Sequence, residues 1–134
     1  MNRRAFLTAT AATLVLPHAA SAIQVRTFSP ALWDAVRATD QVVILNFRTS
    51  WSLTCQIKQE LIAEALSRTP AYRELQFIDV NWDTYGPSRM AARLKVDRRS
   101  SLLVMKSGAE LARLVNQPQA HKIRELLDAA LNAA

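Results

Sequence analysis

Residues 42–66 limit the fold more than any other stretch. Val42-Val43-Ile44-Leu45-Asn46-Phe47 is a nearly continuous apolar run, which reads as a buried strand. Beyond it, Leu53, Ile57, Leu61, Ile62, Ala65 and Leu66 recur at helical spacing. A buried strand therefore feeds an amphipathic helix through a short polar turn. The single cysteine of the chain, Cys55, falls in the first turn of that helix.

The remaining elements follow from local signals. Gln24 to Phe28 reads as a short edge strand, and Ser29-Pro30 caps and opens a helix carrying Trp33 and Val36. Thr69-Pro70 breaks the long helix. Leu75 to Val80 reads as a second inner strand, Asn81 to Pro87 as a loop, and Ser88 as the cap of a short helix with Met90, Ala91 and Leu94. Ser101 to Lys106 and Leu111 to Val115 form a hairpin about Ser107-Gly108. Pro118 opens a last helix with Ile123, Leu126, Leu127, Ala130 and Leu131 on one face. The order is β-α-β-α-β-α-β-β-α, an α/β arrangement in which helix-linked strands pair in parallel and the hairpin adds an antiparallel edge.

Strand, then Trp51-Ser52-Leu53-Thr54-Cys55, then amphipathic helix resembles the active-site region of the thioredoxin superfamily, whose motif is Trp-Cys-x-x-Cys. The element order resembles that family over nearly all of residues 23–134, so the expected architecture is the thioredoxin fold, a central mixed sheet flanked by helices. Three positions depart from the family pattern. Ser52 stands where the attacking cysteine is expected. Ser100 stands where a cis-proline precedes the strand beginning at Ser101, and a trans peptide is expected there because a non-proline cis bond costs about 3 kcal/mol. Asn46, which cannot ionise, stands where the family often buries an acid. Together these changes argue against an ordinary dithiol cycle.

The N-terminus reads as a leader. Arg3-Arg4 precedes an Ala/Thr/Leu/Val stretch to Leu16, and Ala20-Ser21-Ala22 is an A-x-A cleavage site. Arg3-Arg4-x-Phe6-Leu7 resembles a twin-arginine export signal, although Asn2 and Thr8 depart from it; the alternative is an ordinary secretory signal. The expected division is a signal peptide at 1–22 and one thioredoxin-like domain at 23–134, in the bacterial periplasm. The apolar run of about 12 residues is shorter than the roughly 20 needed to span a bilayer, so no stable membrane anchor is expected after cleavage. Cleavage removes two of 17 basic residues and none of the 11 acidic ones, leaving a balance of +4. The cations are scattered and do not alternate with aromatics, which argues against a nucleic-acid partner.

One cysteine allows no intrachain disulfide, so stability must come from packing. Dithiol exchange needs a thiolate at the helix start and a second thiol to resolve the mixed disulfide. Ser52 is a poor nucleophile without a base and reads first as a helix N-cap. Cys55, at the resolving position, is either a small buried residue or a monothiol exchanging with the thiols and disulfides of proteins or small molecules. Trp51 and Ser100 are the candidate substrate-binding positions, and Arg48 and Arg99 are candidate cations beside the turn. His121 has no cysteine or acid at ligand spacing, and only two glycines are present, so neither a metal site nor a phosphate loop is expected; no cofactor is implied. Two readings remain: residual thiol exchange at Cys55, or a redox-inert binding module using the groove around Trp51 and Ser100. A metal or haem chaperone has only the lone thiol behind it.

Overall fold

The computed structural model describes residues 24–134; the expected leader at 1–22 lies outside the described residues. Five strands form one sheet: β1 (Gln24–Thr27), β2 (Val42–Arg48), β3 (Gln76–Asn81), β4 (Ser101–Lys106) and β5 (Ala109–Val115). Their spatial order is β1-β3-β2-β4-β5. The first three are parallel, and β4 and β5 add the antiparallel edge.

The sequence of β2 explains why it lies at the centre. Val43, Ile44, Leu45 and Phe47 are all at most 1 % exposed, so both faces of the strand are covered. Successive residues point to opposite faces. Ile44, with Phe77, Leu102 and Val104, packs under helices α2 (Leu53–Arg68) and α5 (Ala120–Ala133). Val43, Leu45 and Phe47, with Ile78 and Val80, pack under α1 (Pro30–Arg37) and the short helices α3 (Trp82–Tyr85) and α4 (Arg89–Arg93). The same alternation places Asn46 and Arg48 on the α2 side of the sheet.

Most local signals lead to the expected elements. Ser29 caps α1, its hydroxyl accepting the Leu32 amide at 3.1 Å. Ser88 caps α4 in the same way, accepting from Ala91 at 3.2 Å. Ser107 and Gly108 both have positive φ, 52° and 77°, as a two-residue hairpin turn with the right twist requires. Three details differ. The expected loop at 81–87 contains α3, because the Asn81 side chain accepts the Asp83 amide at 3.0 Å and caps a helical turn. Residues Pro70–Glu74 form a 3-10 helix after the break at Thr69. The last helix begins at Ala120, two residues beyond Pro118.

The core beneath α2 and α5 should carry much of the stability. Leu127 is fully buried there, so Leu127→Ala should destabilise the fold by about 2–5 kcal/mol. Leu53 is 69 % exposed, and Leu53→Ala should change stability by less than about 0.5 kcal/mol. Urea unfolding of the two variants checks both figures.

Candidate functional site

The site forms where β2 ends and α2 begins. Ser52 has an extended backbone; its hydroxyl accepts the Cys55 amide at 3.4 Å and its carbonyl accepts the Gln56 amide at 3.1 Å. It is thus the N-cap of α2. The buried face of the helix then runs Cys55, Lys58, Ile62, Ala65 and Leu66. This stripe differs from the expected one: Leu53 faces solvent and Lys58 lies inside.

Cys55 is 1 % exposed. Its protonated thiol donates to the Arg99 carbonyl at 3.7 Å. Burial is the largest single influence on the thiol and pushes its pKa up. Four groups oppose it: the backbone of Thr49, the Ser52 hydroxyl, the Lys58 ammonium and the Ser100 hydroxyl. Together they outweigh burial and hold the thiol below its ordinary value. Ser100, 3 % exposed, thus lies against the cysteine, and no cis peptide occurs among the described residues.

Lys58 has no counterpart in the expectations from sequence. Its residue is 3 % exposed, and its Nζ donates to the Phe47 carbonyl at 2.7 Å. Burial drives its pKa down to about 8; Cys55 and Asp79 act upward, Arg48 downward. Asp79 of β3 and Arg48 at the end of β2 pair at 2.9 Å. Burial raises the Asp79 carboxyl, against the pull of Arg48 and Lys58. Asn46, beside Asp79 in register, donates to Gln59 at 2.6 Å, and its own Oδ1 has no partner.

The cations sort themselves differently from the sequence expectation. Arg48 is occupied by Asp79, and the Arg99 guanidinium sits 4.7 Å from the centroid of the Trp51 ring. Lys58 is the cation that acts on Cys55. The spacing of the helix could have shown this, since positions 55, 58, 62 and 65 share one face, but a lysine on an apolar face normally marks that face as exposed. Trp51 itself is 60 % exposed, and its indole N–H donates to the Asp83 carboxylate at 3.1 and 3.3 Å. His121 lies exposed on α5, and no cluster of three or more metal-ligating side chains occurs among the described residues.

A cavity of about 350 Å³ opens beside Cys55, lined also by Thr49, Gln56 and Gln59. Thr49 is 5 % exposed, and its hydroxyl has no hydrogen-bond partner. A larger cavity of about 480 Å³ lies under α1 and α4, against Phe28, Trp33 and Met90, and includes none of the motif residues.

Comparison with known proteins places this geometry in a known architecture. No family model matches the chain. It is 25 % identical to thioredoxin H2-1 of Oryza sativa subsp. japonica over 84 residues, which is 63 % of this chain and 57 % of that protein. The chain thus spans little more than half the length of that relative. Solved structures agree over more of the chain. Trxlp from Edwardsiella tarda superposes with a TM-score of 0.66 at 21 % identity, covering 78 % of this chain and 98 % of that one. The thioredoxin of Malassezia sympodialis gives 0.66 at 21 % identity, over 81 % and 95 %. The chain has the thioredoxin fold.

Folding this site has a pH signature. Lys58 loses its proton at about 8 in the folded chain and at 10.5 when free, so the unfolded chain binds more protons in between. The Cys55 thiol, lowered from 9.0, acts in the same sense. Stability should therefore rise between pH 8 and pH 10. Tyr72, raised from 10.0 to about 12, opposes this at higher pH. The urea midpoint should increase from pH 8 to pH 10, and Lys58→Met should flatten most of that slope.

Proposed function

We propose that this is an exported bacterial protein of the periplasm whose Cys55 exchanges with partner thiols and disulfides as a single thiol. The observation that carries the reading is the convergence of a backbone group, two hydroxyls and an ammonium on one cysteine beside a cavity. Such surroundings favour the nucleophilic thiolate. The thiolate attacks one sulfur of a partner disulfide, a new S–S bond forms, and the second partner sulfur leaves as a thiolate. Ser52 cannot resolve the product, so an external thiol completes each cycle. The partners are thiols or disulfides of proteins or small molecules, and the thioredoxin fold supports that class. Export rests on the Arg3-Arg4 leader with its A-x-A site. No helix among the described residues is long and apolar enough to cross a membrane.

A second reading has its own support. Trp51 and Leu53 are 60 % and 69 % exposed, and the Arg99 guanidinium lies over the Trp51 ring. An exposed aromatic held beside a cation suits recognition without redox chemistry.

Alkylation of the mature, folded protein with iodoacetamide decides between them. Exchange chemistry predicts reaction in the folded state, with a midpoint lower than that of the same cysteine in denaturant. Reaction only in denaturant would remove the exchange reading and leave the binding module, for which Cys55→Ala would retain partner binding. For export by the twin-arginine route, replacing Arg3 and Arg4 together by lysine should leave the precursor uncleaved in the cytoplasm, as detected by immunoblot of cell fractions, whereas an ordinary secretory signal would still be cleaved.

A further inference from the structure

We propose that Lys58 is the proton partner of Cys55, so that capping the cysteine drives the proton off the lysine. This rests on the reading of Cys55 as an exchanging thiol. Lys58 acts through Cys55 and does not touch the partner; it is a positioning residue.

The geometry carries the inference. Cys55 and Lys58 lie one helical turn apart on the buried face of α2, a spacing that makes side chains neighbours. The ammonium has three donors, and the Phe47 carbonyl takes one at 2.7 Å. The other charges facing Lys58 are Arg48 from β2 and Asp79 from β3. These bind each other at 2.9 Å and largely cancel. The small cavity on the other side of Lys58 is lined by the uncharged Ser100, Leu114, Asn116, Gln117 and Pro118. A thiolate at Cys55 is therefore the anion that balances the buried ammonium.

Two arrangements leave the pair without net charge: thiolate with ammonium, and thiol with amine. They contain the same number of protons, so passing from one to the other needs no net uptake or release of a proton. Both groups are displaced toward a common range, Lys58 to about 8 and the thiol below 9.0, and they titrate as one coupled unit. Thr49, a residue 5 % exposed that lines the cavity beside Cys55, has a buried hydroxyl without a partner, a group that an incoming ligand would satisfy.

Exchange then couples to protonation. Cys55–S⁻ attacks the disulfide RSSR′; the Cys55–S–S–R bond forms and the RS–SR′ bond breaks. The capped sulfur is neutral, so the ammonium loses its balancing charge and gives up its proton, which ends on the leaving R′S⁻. The sum is Cys55–S⁻ + Lys58–NH₃⁺ + RSSR′ giving Cys55–S–S–R + Lys58–NH₂ + R′SH. An external thiol reverses the proton step: its proton returns to Lys58, its sulfur attacks the R sulfur, and Cys55 leaves as the thiolate.

NMR titration of the Lys58 Cε in the folded mature protein tests the coupling. A midpoint near 8 is expected with the free cysteine. Capping with methyl methanethiosulfonate should lower it by about one unit or more, the scale of one lost neighbouring charge. An unchanged midpoint after capping overturns the inference. The reciprocal arm is iodoacetamide alkylation of Lys58→Met, whose midpoint should rise by about one unit, with a roughly tenfold slower rate at pH 7. A profile equal to the parent's overturns the proposed pairing while leaving the exchange reading intact. Should Cys55 resist capping when folded, the exchange reading fails, and Cys55→Ala still reports on the pair. Its Lys58 midpoint falls if the thiolate supports the ammonium and stays in place if it does not.

Discussion

A lysine buried under the first turns of a helix is the constraint on which the rest of the site depends. An ammonium in the protein interior is stable only when it is paired and hydrogen-bonded. Here the bond goes to the carbonyl of Phe47, near the end of the central strand. That bond ties α2 to β2 on the inner side of the turn that carries Trp51 and Ser52. The alternation of β2 sends Asn46 and Arg48 to the same side, and the register with β3 brings Asp79 opposite Asn46. The polar groups of the sheet face thus gather under one helix start. They do so because the parity of two neighbouring strands coincides with the buried stripe of the helix.

The site has a buried set and an exposed set of groups, and Arg99 joins them. Inside, Cys55, Lys58, Ser52 and Ser100 control the charge on sulfur. Outside, Trp51 is held by the Asp83 carboxylate and by the Arg99 guanidinium. The backbone carbonyl of Arg99 accepts from the Cys55 thiol, while its side chain covers the tryptophan ring. A side chain already fixed before association loses less freedom when a partner arrives. Contact at the exposed ring and chemistry at the sulfur therefore share one loop residue, although no exposed group takes part in stabilising the thiolate.

The fold was legible in the sequence because its signals are periodic. A continuous apolar run marked β2, helical spacing marked α2 and α5, and Ser-Pro, Thr-Pro and Ser-Gly pairs marked the boundaries. The junction of β2 and α2 could be placed to the residue, with Ser52 as cap and Cys55 in the first turn. What the sequence hid was which face of α2 lies inside. Leu53 and Lys58 exchange their usual places, and hydrophobicity alone assigns both wrongly. The roles of Arg48, Asp79 and Asp83 were hidden for another reason. Each is set by a partner at least 31 positions away in the chain, and no local spacing encodes such a pair.

Ser52 limits the chemistry open to this helix start. Its residue is 3 % exposed, and its hydroxyl is engaged with the Cys55 amide. Among the described residues no basic side chain hydrogen-bonds to it, so it lacks the activation that an attacking hydroxyl needs. It also supports the Cys55 thiolate. The Ser52 hydroxyl is thus part of the environment of the one cysteine. A dithiol site ejects its partner when the second thiol attacks the mixed disulfide. In a Ser52-x-x-Cys55 site that internal attack is missing. If Cys55 exchanges as proposed, a captured partner would leave only when an external thiol reaches a sulfur lying under the turn. On that reading the lifetime of the complex would be set by access to the cavity beside Thr49 and Gln56, which would suit the site to holding a partner as well as to turning it over.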